Sequence, residues 1–133
     1  MAFLITKEWL IDLSEDFDSR VEEGKLIYWK AGITVIAVPF RLPEETDKLS
    51  LLKQIQEKMP ADTLETMVST KGKLVGLGYT RINNEQNEIK RLSLYTFTAS
   101  DTSCLQIAFY LDNPDDLPWA KSVWEHLIFH PAE

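Results

Sequence analysis

Between residues 89 and 111 apolar and polar positions alternate with a period of two. Residues 89–99 and 102–111 are therefore predicted as antiparallel strands around a Ser100-Asp101 turn. Leu105, Ile107, Phe109 and Leu111 fall on one face, with Leu92 and Leu94 as cross-strand companions. The other face takes Gln106, Ala108 and Tyr110, with Arg91, Ser93, Tyr95 and Phe97 on the neighbouring strand. It mixes aromatic bodies with polar tips. Asp112-Asn113-Pro114 stops the second strand, and helical spacing then runs over 115–129. That spacing turns Trp119, Val123 and Leu127 toward the sheet, joined by Trp124 and Ile128, with Asp115 or Asp116 and Pro118 holding the start. The class predicted is α+β: an antiparallel sheet with a mid-chain helix and a C-terminal helix.

The upstream pattern supplies the remaining elements. Residues 8–18 mix Trp9, Ile11, Leu13 and Phe17 with acids, predicting a short first strand. Glu22-Glu23-Gly24 reads as a turn, and Lys25–Lys30 with Ile33–Arg41 as a hairpin through Ala31-Gly32. Residues 33–38 are apolar on both faces and rich in β-branched side chains, so this strand is placed inside the sheet, with Pro39 at its end. Pro43-Glu44-Glu45-Thr46-Asp47 has the character of a helix start, with Thr46 or Asp47 as cap. Leu51, Leu52, Ile55 and Met59 form one apolar stripe, and Met59-Pro60 ends the helix. Residues 63–70 and 74–82 read as two strands around Lys71-Gly72, and 83–87 as a polar hairpin tip. No boundary or repeat divides the chain, so residues 1–133 are expected to form one domain.

Composition narrows the function classes. Four Trp, four Tyr and six Phe in 133 residues supply enough burial to offset chain entropy, which excludes a disordered chain. The longest apolar run, 33–40, is far shorter than the ~20 residues a membrane span needs. Met1-Ala2-Phe3-Leu4-Ile5 lacks a basic start and is cut short by Lys7 and Glu8, so a signal peptide is not expected and the location is taken as cytoplasmic. A net charge of −7 argues against nucleic-acid and anionic-membrane partners. The single cysteine, Cys104, excludes an internal disulfide framework; its strand position reads as a small buried hydrophobe.

Several groupings invite chemistry and each has a plainer explanation. His126 and His130 stand four apart, but Pro131 follows and no third ligand is indicated. Asp112-Asn113-Pro114-Asp115-Asp116 lacks the spacing, glycine and distal glutamate of a calcium loop. Gly72, Gly76 and Gly78 lie near Lys71 and Lys73 in a strand pattern, where glycines mark a bulge or a close crossing by another element, not a phosphate loop. Asp12, Glu15, Asp16, Asp18, Glu22 and Glu23 read as a solvated acidic run, and no nucleophile-elbow motif occurs. The expectation is a non-enzymatic chain with no cofactor and no metal.

The order of elements resembles the PsbP-like α/β/α sandwich family. The resemblance is carried by Trp9-Leu10-Ile11-Asp12-Leu13, residues 33–40, the helix at 49–59, the hairpin at 91–111 and Trp119-Ala120-Lys121-Ser122-Val123-Trp124. That family includes the photosystem II extrinsic subunit, a nuclear-import factor that binds the Ran GTPase, and bacterial adaptor chaperones for type VI secretion effectors. The resemblance implies a bacterial protein-binding adaptor or chaperone that holds an apolar partner segment on a sheet face, often as a dimer. By position that surface is Tyr95, Phe97 and Tyr110, with Arg91 beside them. Two alternatives stand next to it: an acidic immunity protein neutralising a basic toxin, and a small-molecule binding domain with its site between sheet and helix.

Overall fold

The computed structural model describes residues 2–6, 8–13, 16–42, 46–61, 63–84 and 90–130, with backbone alone for 2–4, 83–84, 90 and 91. Two antiparallel sheets and two helices make up an α+β fold. The small sheet contains β1 (Ala2–Leu4), β2 (Trp9–Asp12) and β10 (Ile128–Phe129), in the order β1-β2-β10. The large sheet contains β3 (Asp18–Glu22), β4 (Lys25–Lys30), β5 (Ile33–Arg41), β6 (Glu65–Lys71), β7 (Leu74–Asn84), β8 (Lys90–Ala99) and β9 (Ser103–Leu111). Its order is β3-β4-β5-β9-β8-β7-β6. The α-helices among the described residues are α1 (Lys48–Glu57) and α2 (Leu117–Glu125).

Strand β9 is the middle of the large sheet because its sequence suits burial on both sides. Leu105, Ile107, Phe109 and Leu111 are fully buried on one face, and register pairs Leu92 with Leu111 and Leu94 with Phe109. The β4–β5 hairpin closes through Ala31-Gly32 as predicted, with Lys30 opposite Ile33 and Gly32 at φ 82°. Pro39 pairs with Leu105 on a stretch where β4 has already ended at Leu26 opposite Ala37. A residue without an N–H is tolerated there because the strand has a neighbour on one side only.

Helix α2 and the small sheet cover the face that carries Leu105 to Leu111. Trp9, Ile11, Leu13 and Phe17 from the N-terminal segment join Val123, Trp124 and Leu127 in one core with β9. The indole of Trp124 crosses closely over β7, and a Cβ on Gly76 or Gly78 would come within 3.0 or 3.1 Å of its ring. The two strand glycines are thus a close crossing point, the second of the two readings the sequence pattern left open, and not a bulge. The Trp124 Nε1–H donates to Thr98 Oγ1 at 2.8 Å, and the Trp9 Nε1–H to Ser103 Oγ at 3.0 Å. Both buried donors are satisfied on the sheet, which removes the penalty of burying them.

Helix α1 lies on the opposite face, over β6 and β7, where Leu49 and Leu52 share a groove with Val68, Val75 and Leu77. Asp47 is its cap: the carboxylate accepts from the Ser50 N–H at 2.7 Å and its pKa is lowered, chiefly by that bond. The Leu51, Leu52, Ile55 and Met59 stripe is half-buried, and no α1 side chain is fully buried. Pro43, Glu44 and Glu45 lie outside the described residues, as do 85–87 of the expected hairpin tip.

Four expectations change. The C-terminal helix stops at Glu125, and Ile128–Phe129 forms β10 against Leu10 and Trp9. Pro131 disfavours a helix through His130, while pairing with β2 satisfies the backbone and sets Phe129 against Trp9 at 4.7 Å between ring centroids. Ile128 consequently points outward, 37% exposed, instead of toward the large sheet. Neither Asp115 nor Asp116 caps the helical segment by a side-chain bond from its carboxylate; Asn113 accepts from the Asp115 N–H at 2.9 Å and opens a 3-10 turn. Finally, the strand expected over 8–18 is shorter and comes second, as β2 (Trp9–Asp12) after β1, and part of the acidic run, Asp18–Glu22, is the edge strand β3 with all its side chains exposed.

Gly78→Ala should force the Trp124 ring to move and destabilise the fold by about 1–3 kcal/mol. Urea unfolding followed by tryptophan fluorescence measures it; an unchanged midpoint would show the ring is not held against β7.

Candidate functional site

The register of the large sheet gathers aromatic side chains on the face opposite the core. Tyr95 pairs with Ala108 of β9 and with Tyr79 of β7, and Phe97 with Gln106 and Leu77. Tyr110 pairs with Ser93 and with Thr34. The rings form a contiguous row: Tyr79 stacks on Tyr95 at 5.3 Å and on Phe97 at 6.5 Å, and Tyr95 meets Tyr110 edge-on at 5.9 Å. Ser93 and Ala108, set between these rings, are buried, while the rings themselves stay half-buried.

Strands β4 and β5 extend this face. Ile36 pairs with Ala108 and Ile27 with Ile36; Trp29, opposite Thr34, lies further out. Arg20 of β3 stands 5.5 Å from the centre of the Trp29 ring and bonds Glu22 at 3.0 Å. Tyr28, by contrast, points into the core and is 2% exposed. The hairpin of β4 and β5 therefore enlarges the aromatic face and does not lie across it. Helix α1 reaches the same face at its β6–β7 end.

Of the residues marked from sequence, Tyr95, Phe97 and Tyr110 come together on this face. Arg91 pairs with Asn83 in the ladder, but its side chain lies outside the described residues. Tyr79 was missed although it is the ring that joins Tyr95 to Phe97. Its strand was legible, but its facing partner depends on how β7 and β8 are aligned, and the polar segment between them leaves that alignment open.

Burial changes the chemistry of the phenols. The Tyr110 hydroxyl is pushed up to about 12 by desolvation, aided by the neighbouring Tyr95 and its hydrogen bond, and Tyr79 is raised by desolvation and by Tyr95. Tyr110 and Tyr79 thus present neutral hydroxyls that donate and accept hydrogen bonds. Cys104, on the same face, is fully buried and its thiol is raised from 9.0 to about 12 by desolvation, so it is held as a thiol.

A second concavity of about 400 Å³ opens where the β8–β9 turn meets β10, lined by Glu8, Arg41, Lys73 and Asp101 among others. Lys48 bonds Asp101 at 2.8 Å, and this lowers the pKa of that carboxyl. The Ser100 and Ser103 hydroxyls at its floor lie 3.2 Å apart, and Ser103 also accepts from Trp9. Among the described residues neither serine has a histidine or carboxylate partner there. The His126 Nδ1 lies 2.7 Å from the Ser122 carbonyl, within its own helix. Among the described residues no three His, Cys, Asp or Glu side chains converge on a metal position.

No family model and no curated protein matches the chain. A structural neighbour is a protein of Bacteroides thetaiotaomicron VPI-5482 whose crystal structure was determined at 1.50 Å. The two superpose with a TM-score of 0.72 at 11% identity, over 92% of this chain and 45% of the other. This chain thus spans less than half the length of that protein, and the likeness is one of fold.

Folding raises the proton affinity of Tyr110 and Cys104, so the unfolded chain releases these protons first as pH rises. Their contribution is complete below about pH 9 and is lost as pH climbs toward 12. The urea midpoint should fall across that window, and Tyr110→Phe should flatten the part above pH ~10. Identical slopes for the two proteins would refute the assignment to Tyr110.

Proposed function

We propose that this chain is a non-enzymatic protein-binding domain, adaptor- or chaperone-like, that seats an apolar partner segment on the aromatic face of the large sheet. The observation that carries the reading is the row Tyr110, Tyr95, Tyr79 and Phe97, half-buried and continuous with Ile36, Ile27 and Trp29. Monomeric proteins seldom leave such a patch without use, and tyrosine and tryptophan dominate binding hot spots. Each ring offers a broad apolar surface with few rotatable bonds, and neutral hydroxyls can pair with a partner's backbone.

The PsbP-like α/β/α sandwich is the family reading that accompanies this proposal, together with a bacterial, cytoplasmic setting. A helix on either face of one antiparallel sheet agrees with it, and no helix among the described residues is long and apolar enough to cross a membrane. The acidic-immunity alternative draws less support from the N-terminal acids, because Asp16 is bonded to Lys30 at 3.2 Å and Glu22 to Arg20.

Tyr95→Glu combined with Phe97→Glu should abolish partner capture while near-ultraviolet circular dichroism stays native. Affinity capture at low and high salt, with wild type and double variant in parallel, provides the comparison. A partner that survives high salt on wild type and is absent from the variant supports the apolar reading. A basic partner lost with salt on both would replace it with the immunity reading.

A further inference from the structure

The two edges of the large sheet are built differently. Edge strand β3 reads Asp18-Ser19-Arg20-Val21-Glu22 and carries a charge at every second position. Edge strand β6 reads Glu65-Thr66-Met67-Val68-Ser69-Thr70-Lys71, with charges at its two ends alone and no proline. All seven of its residues pair in unbroken register with β7, so it is a regular strand without a bulge. Among the described residues its other side has no strand neighbour. Sheet edges normally carry interior charges, proline or bulges that block further pairing, and β6 has none of these.

We propose that the β6 edge pairs antiparallel with the β6 edge of a second copy of this chain, about a two-fold axis at Val68. Residues facing each other across such an axis have numbers that sum to twice the central one. Val68 then faces Val68, Met67 faces Ser69, Thr66 faces Thr70, and Glu65 of each copy faces Lys71 of the other. The strand is self-complementary: two opposite-charge pairs flank an uncharged centre. Registers shifted by two residues break both charge pairs. The same operation on β3 fails, since centring on Arg20 sets Arg20 against Arg20 and Asp18 against Glu22.

Exposure on the face that carries α1 agrees with this occupant. Val68 is 74% exposed at the strand's midpoint, Leu64 is 60% exposed just before it, and Leu49 of α1, which shares a groove with Val68, is 66% exposed. Pairing at Val68 brings the two valines together and extends the apolar floor under each α1. On the opposite face Glu65 already bonds Lys121 at 2.8 Å and Lys71 bonds the Glu125 carbonyl at 3.3 Å. These contacts hold both charges at the strand ends, in position for the facing copy.

Sedimentation velocity over a broad micromolar range tests the proposal. Wild type should populate a dimer. Lys71→Glu, which keeps the Glu65–Lys121 bond, should weaken it about tenfold by setting two acids face to face at both ends. Glu65→Lys should do the same, and the double exchange Glu65→Lys with Lys71→Glu should restore the dimer. Val68→Lys should give a monomer, each variant being checked for native circular dichroism. A wild-type monomer throughout, or a dimer indifferent to Lys71→Glu and Val68→Lys, overturns the proposal. Because the edge is separate from the aromatic face, Tyr95→Glu with Phe97→Glu should leave the dimer intact; loss of dimer in that variant would place the contact on the face instead.

Discussion

Leu105, Ile107, Phe109 and Leu111 of β9 are wholly withdrawn from water, and a single sheet cannot achieve that alone. A second layer has to close over them, and two distant pieces of chain supply it. The N-terminal segment brings Trp9, Ile11, Leu13 and Phe17; the C-terminal helix brings Val123, Trp124 and Leu127. Strand β10 then fastens the segment after α2 to β2, so the N-terminal segment and α2 are drawn into one lid. Burial of apolar area is the largest stabilising term available to a chain of this size, and here it also dictates the topology.

The lid is oriented by two indoles. Trp124 fits closely on β7 because Gly76 and Gly78 leave no Cβ beneath it, and its N–H is taken up by Thr98. Trp9 is fixed in the same way by Ser103 at the start of β9. Hydrophobic burial alone has no direction, whereas a buried donor must find its acceptor. These two bonds therefore select one placement of the lid from many that would bury similar area.

Covering one face this thoroughly has a consequence for the other. The remaining helix, α1, buries none of its side chains fully and occupies the β6–β7 end. Strands β4, β5, β9 and β8 then present a broad surface whose central rings contact each other. The desolvation that lifts Tyr110 follows from this crowding of phenols, and so does the complete burial of Ser93 between larger neighbours. One sheet thus carries a structural face and a candidate binding face, with alternation along each strand assigning side chains to one or the other.

Much of this was legible in the chain itself. Local signals determined the β4–β5 hairpin, the β8–β9 hairpin, the core side of β9 and the cap region of α1, because each depends on residues a few positions apart. The β10 strand was not legible, since Ile128-Phe129 continues a helical apolar pattern and becomes a strand by meeting Trp9, more than a hundred positions away. Tyr79 joined the aromatic row through the alignment of β7 with β8, which no local period encodes. The alternation of apolar and polar residues determined which side chains share a face within a hairpin. Only the tertiary structure decided which face was covered, because that depends on where the lid finds acceptors for Trp9 and Trp124 and room beneath the indole.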